Sequence, residues 1–150
     1  MTRVLFLCTG NSARSQIAEA LLRAAAGEGW DVRSAGTDPA GLNPLTVEVM
    51  AEAGIDVSGA ESKHLDRFRE EPWDYVITVC DEAAESCSAF PGGRERLNWS
   101  TPDPAVAVGT AEARRQAFRS ARESLRARIG ALLRQRLDAG GGGGTLSGVR

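Results

Sequence analysis

The sequence predicts an α/β fold built on a parallel sheet, and three observations carry that prediction. The apolar run Val4-Leu5-Phe6-Leu7 reads as a short buried strand. It leads through a loop into a segment with apolar residues at helical spacing, Ile17, Leu21 and Ala24 or Ala25. Asp31-Val32-Arg33-Ser34-Ala35-Gly36 then reads as a second strand, and a strand, helix and strand of this length imply a right-handed βαβ unit. Trp73-Asp74-Tyr75-Val76-Ile77-Thr78-Val79-Cys80 is the strongest strand signal, apolar and β-branched. A length of 150 residues suits one domain with one ordinary core.

The remaining elements follow in order. Gly27, Gly29 and Trp30 end the first helix, and residues 37–43 are turn-rich. Asn43 and Pro44 suit an N-cap and first helical residue, Val47, Met50 and Ala51 supply an apolar face, and Gly54 stops that helix. A polar connection runs from Ile55 to Lys63, and His64 to Arg69 reads as another short helix. Asp81 to Cys87 carries helix formers and early acids, which suits a short helix or a loop. Pro91-Gly92-Gly93 is a turn, Arg96 to Trp99 a short edge strand, and Thr101-Pro102-Asp103-Pro104 a rigid polar loop. From Thr110 to Leu137 the pattern is one long helix, with Phe118, Ala121, Leu125, Ile129, Leu132 and Leu133 near one stripe. Its many arginines read as a solvated face with long stems over the core, in preference to a nucleic-acid surface. The domain is placed at residues 1–138; residues 139–150, with the tract Gly140 to Gly144, read as a flexible glycine-rich tail without function.

Composition narrows the function. A hydrophobic content of 42% with 25% charged residues is that of a soluble globular protein. A net charge of -2 and the lack of a basic arm argue against nucleic acid as partner. No apolar run reaches the length of a membrane span and no signal peptide opens the chain, so the expected location is the cytoplasm. Three cysteines in such a setting point to chemistry before structural staples.

The stretch with the densest chemistry is Cys8-Thr9-Gly10-Asn11-Ser12-Ala13-Arg14-Ser15. It places a cysteine at the end of a strand and an arginine at the mouth of a helix. The unpaired N–H groups and the positive end of a helix favour an anion, and they push a nearby thiol toward thiolate. Arg14 adds a planar, two-pronged donor for a tetrahedral oxyanion. The pattern describes a nucleophilic sulfur in a cradle for a phosphate-like ion. His64, the only histidine, reads as a surface residue, and no Cys-x2-Cys pair supports a metal site.

The opening motif, the turn Ser34-Ala35-Gly36 and the late Asp103-Pro104 resemble the low-molecular-weight protein tyrosine phosphatase fold over about residues 3–137. That resemblance implies a three-layer α/β/α sandwich with a four-stranded parallel sheet. Within the fold, Cys80 and Cys87 resemble the redox pair of the thioredoxin-coupled arsenate reductases. Phosphatases of this kind need one catalytic cysteine and typically carry tyrosine after Asp-Pro, where this chain has Ala105. Its only tyrosine, Tyr75, falls inside a strand, so an aromatic clamp for phosphotyrosine is hard to assemble.

The resemblance implies roles residue by residue. Cys8 attacks arsenate, with phosphate as competing oxyanion. The N–H groups of Thr9, Gly10, Asn11, Ser12, Ala13 and Arg14 face the ion, and the Arg14 guanidinium pairs with it. Ser15 donates its hydroxyl to the Cys8 sulfur, or is simply a helix-start serine. Asn11 adopts a left-handed backbone braced by Ser34. Asp103 protonates the leaving oxygen, or merely makes an Asx turn before Pro104. Cys80 attacks the Cys8 sulfur, arsenite leaves, and Cys87 then takes over Cys80 to leave a disulfide for thioredoxin. A helix from 80 to 87 would separate the two by about 10.5 Å, beyond the roughly 7 Å a disulfide allows, so that segment is expected to unwind. Some of these reductases hold potassium beside the loop; here Lys63 is expected to set its ammonium against Glu19 in the ion's place, with no metal or other cofactor required. The expected protein is a monomeric reductase with residual phosphatase activity. The alternatives are a phosphatase with redox-protective cysteines and a non-enzymatic redox sensor or anion-binding module.

Overall fold

The computed structural model describes residues 1–81 and 90–142. Four strands, β1 (Thr2–Cys8), β2 (Trp30–Gly36), β3 (Tyr75–Thr78) and β4 (Glu95–Asn98), form one sheet in the order β2-β1-β3-β4. Every pairing is parallel. In β1, Val4, Leu5, Phe6 and Leu7 are all fully buried. Successive strand residues point to opposite faces, so both faces of the sheet are covered, as the three-layer α/β/α arrangement requires. β4 is one of the two edge strands, with Glu95, Arg96 and Asn98 exposed.

Among the described residues there are three α-helices: α1 (Arg14–Ala26), α2 (Pro44–Glu52) and α3 (Ala111–Gly142). Asn43 caps α2 by accepting from Leu45 N at 2.9 Å, with Pro44 in the first turn, as the sequence signals. The stripe of α3 is buried as expected: Phe118, Ala121, Leu125, Ile129 and Leu132 are inside, with Leu133 packed against them. Its arginines do more than lie over the core. Arg115 pairs with Glu48, and Arg119 and Arg122 both pair with Glu52, which fastens α3 to α2.

The structure departs from the sequence reading in three places. Regular pairing of the Trp73–Cys80 run spans Tyr75–Thr78, with further main-chain bonds continuing it at Trp73, Asp74 and Val79. Trp73 lies before the ladder, its indole N–H donating to Phe68 O and its carbonyl accepting from Arg94 N, and Cys80 lies past the last pairing with β1. The expected helix from His64 to Arg69 is one 3-10 turn, Leu65–Phe68, opened by His64 Nδ1 accepting from Asp66 N at 3.0 Å. α3 starts one residue late because the Thr110 hydroxyl caps it through Ala113 N, and it runs past Leu137 to Gly142. Residues 143–150 of the expected tail lie outside the described residues.

Candidate active site

The strand order places the site. β1 lies between β2 and β3, so the chain leaves it toward one edge of the sheet and later returns on the other side. A crevice opens at the C-terminal end of the strand where the order reverses, the position at which open α/β sheets bind ligands. Cys8 is the last residue of β1, registered against Gly36. The chain then loops into α1, whose N-cap Ala13 offers no side-chain capping bond. The first N–H groups of the helix therefore remain available to an anion.

The loop is turned inside out by donors from beyond it. Thr9 O accepts from Asp38 N, and Gly10 O accepts from Ala40 N and from the Ser62 hydroxyl. Asn11 O accepts from Ser62 Oγ at 2.6 Å and from Gln16 Nε2 at 3.2 Å. Ser12 O accepts from Asn43 N and Thr46 Oγ1. In a planar peptide the C=O and the next N–H point in opposite directions. With these carbonyls facing out, the N–H groups of Gly10, Asn11, Ser12 and Ala13 face in. Asn11 N shows the result, donating to Cys8 Sγ at 3.2 Å. Asn11 is the one non-glycine residue with positive φ among the described residues, at 47°. Gly36 permits the close approach of β2, since a Cβ there would meet Thr9 O at 2.4 Å.

Around the sulfur the contacts are polar and buried. Ser15 Oγ lies 2.8 Å from Cys8 Sγ. Asn11 Nδ2 donates to Ser15 Oγ at 2.8 Å and to Ser34 Oγ at 2.9 Å, and Ser34 in turn donates to Glu19. Burial pushes the Cys8 thiol above its ordinary value, against the Ser15 hydroxyl and the Ser15 and Asn11 N–H groups, which pull it down. The donors at the helix end thus act on the sulfur in the expected direction, and burial acts against them.

Other expected residues fall as follows. Arg14 donates from Nη1 to Thr101 O at 2.9 Å and holds Nη2 at 3.7 Å from Asp103 Oδ2. Asp103 also accepts from Ala105 N at 2.9 Å, so its Asx turn and its position beside Arg14 coexist. Cys80 is buried to 1% exposure, with its Sγ 3.7 Å from Thr9 Oγ1. Cys87, and with it the expected unwinding of 80–87, lies outside the described residues. Lys63 supports the loop through its main chain as well as its charge, and the Glu19 carboxylate is the largest charge that acts on its ammonium. The Lys63 main-chain N–H donates to Asn11 Oδ1, while its ammonium donates to Glu61 O. Glu19 also accepts from Ser34 and, at 2.8 Å, pairs with Arg23.

A cleft of about 300 Å³ beside the loop is lined by Arg14, Asp81, Ser100, Thr101, Pro102 and Asp103, with no aromatic among the described residues. A larger hollow of about 490 Å³ on the other flank of α1 contains no nucleophile. Sequence reasoning missed Gln16, Thr46 and the main-chain donors of 38–43. Gln16 carries one signal, a polar residue on the helix face that also bears Ala20, but nothing local names its partners.

Residues 3–140 match the family described as low molecular weight phosphotyrosine protein phosphatase, and the chain belongs to that family. It is 44% identical over 126 residues to the arsenate reductase of Halalkalibacterium halodurans, covering 84% of this chain and 91% of that one. Among solved structures, an arsenate reductase in a phosphate-binding state superposes with a TM-score of 0.74 at 27% identity, over 90% of this chain and 98% of that one. The thioredoxin-dependent arsenate reductase of Corynebacterium glutamicum superposes with a TM-score of 0.69 at 34% identity, over 90% of this chain and 61% of that one.

Proposed function

We propose that this protein is an arsenate reductase that works through a relay of its three cysteines and is regenerated by thioredoxin. The observation that carries the reading is the Cys8 sulfur, 2.8 Å from the Ser15 hydroxyl at the base of the inverted loop, with a second thiol, Cys80, against Thr9. The similarity to arsenate reductases supports the choice of oxyanion. In the proposed reaction the Cys8 thiolate attacks arsenic(V), and Asp103 protonates the oxygen that leaves as water. Cys80 then attacks Cys8 Sγ. The sulfur–arsenic bond breaks, its electron pair stays on arsenic, and arsenite departs from a Cys8–Cys80 disulfide. Cys87 attacks Cys80, frees Cys8, and leaves Cys80–Cys87 for the dithiol of thioredoxin to reduce.

The same proposal takes the protein as a cytoplasmic monomer without cofactor, its catalytic domain ending near residue 138. Arsenate-dependent NADPH oxidation with thioredoxin and thioredoxin reductase tests it, on wild type and on Cys87→Ser. Sustained turnover that falls to about one event per molecule in the variant is the expected result. The Arg14–Asp103 approach of 3.7 Å favours a second reading, a phosphatase protected by its other cysteines. That reading predicts phosphomonoester turnover unaffected by Cys87→Ser and no arsenate reduction. Neither activity would leave a non-enzymatic sensor.

A further inference from the structure

The polarity of the hydrogen bonds around Asn11 leads to a residue that has no assigned part in the chemistry. Lys63 main-chain N–H can only donate, and it lies 2.8 Å from Asn11 Oδ1. That contact sets which end of the Asn11 amide is oxygen. Its nitrogen then spends both hydrogens on Ser15 Oγ and Ser34 Oγ. Having accepted there, each hydroxyl keeps its own hydrogen: Ser34 gives its hydrogen to Glu19, and Ser15 has its hydrogen to give to Cys8 Sγ once the sulfur is a thiolate. The direction of donation onto the nucleophile is therefore a consequence of how Asn11 is held.

Gln16 holds Asn11 from two sides. It is 2% exposed, and its Nε2 lies 3.1 Å from Asn11 Oδ1, 3.2 Å from Asn11 O and 2.9 Å from Glu61 O. Three oxygens around one terminal atom require that atom to be the donor nitrogen. The contact to Asn11 O keeps that carbonyl outward, so that Ser12 N–H points inward. The contact to Asn11 Oδ1 keeps the amide from turning over. The third contact ties both to the chain before Lys63. Since Asn11 adopts a left-handed backbone, at a cost most side chains avoid, the clamp opposes relaxation of the loop.

We propose Gln16 as a positioning residue for the reaction at Cys8, acting through Asn11 on both oxyanion binding and the Ser15 donor. The proposal rests on Cys8 being the oxyanion-site nucleophile. Gln16→Met keeps volume and removes the donor; Gln16→Glu keeps shape and polarity and sets a carboxylate oxygen against three oxygens. The test uses the full chain, with Cys8 alkylation by iodoacetamide followed by peptide mass spectrometry against pH, and inorganic phosphate as protecting ion. In Gln16→Met, phosphate protection is expected to weaken about tenfold, the alkylation profile to move to higher pH, and circular dichroism to stay unchanged. In Gln16→Glu both effects are expected to be larger, and this variant carries the test if the first does not fold. A variant that only melts earlier, with protection and pH profile as in wild type, overturns the proposal. Wild-type Cys8 that phosphate does not protect would instead overturn the underlying reading of the site.

Discussion

Two loops meet at the candidate site and are held in opposite ways. The Cys8–Ser15 loop has its carbonyls from Thr9 to Ser12 bound by donors from four other segments, and Asn11 and Ser15 are fully buried. The loop that carries Asp103 is tied at its start, by Thr101 O to Arg14, Thr101 N to Val79 O and Thr101 Oγ1 to Trp99 O, and from Asp103 onward mainly by its own turns and the Arg14 approach. Beyond it Val106 and Val108 are 73% and 86% exposed. The difference matches what the proposed reaction asks of each. Donors aimed at a developing charge work only if fixed beforehand. A proton donor needs to reach one oxygen, and a short turn supplies that.

This contrast predicts that activity and stability separate between the loops. Asp103→Asn keeps the oxygen that accepts from Ala105 N, so stability should stay within about 0.5 kcal/mol of wild type. Turnover should fall about a hundredfold through loss of the acid. Single-turnover arsenite formation and urea unfolding on one preparation check both halves, and a large stability loss would erase the contrast. Gly36→Ala attacks the held loop from β2. Its Cβ would meet Thr9 O at 2.4 Å and Asn11 N at 3.0 Å. The variant should lose about 2 kcal/mol, together with phosphate binding, both readable by calorimetry.

Ser15→Ala removes one of the donors that draw the Cys8 thiol downward and leaves burial unopposed by it. The thiolate should then form only at higher pH, and alkylation at pH 7 should slow about tenfold. An unchanged profile would mean that Ser15 is no more than a helix-start serine. The smallest effect is expected far from both loops. Arg119 and Arg122 hold the Glu52 carboxyl down at about 2, from an ordinary 4.5. A lowered folded-state value stabilises above pH 4.5, and that gain is lost as pH falls toward 2. Glu52 is solvent-exposed, so Glu52→Gln should lower the melting temperature only slightly at pH 7, less in high salt, and not at all near pH 2.

Much of the fold was legible because its signals are local. The run Val4–Leu7, the Asn43-Pro44 cap and the α3 stripe each follow from residues a few positions apart. Boundaries were less legible where partner strands set them, as where the Trp73–Cys80 run pairs regularly only over Tyr75–Thr78. At the site, the nucleophile, the arginine and the left-handed Asn11 are local features of one motif. Lys63 shows the limit: the family resemblance sets its ammonium against Glu19, and only the structure adds that Arg23, one helical turn along α1, pairs with the same carboxylate and that the Lys63 main chain holds Asn11.

By itself the sequence determined the parallel sheet, the helix that opens after Cys8, and a loop with the residue types an oxyanion cradle needs. Only the tertiary structure decided which way that cradle faces. Its carbonyls are turned outward by Asp38, Ala40, Asn43, Thr46 and Ser62, which lie 29 (Asp38 to Thr9) to 52 (Ser62 to Gly10) residues along the chain from their acceptors. A peptide has no preferred direction of its own. It takes one from the partners that packing brings within hydrogen-bond reach.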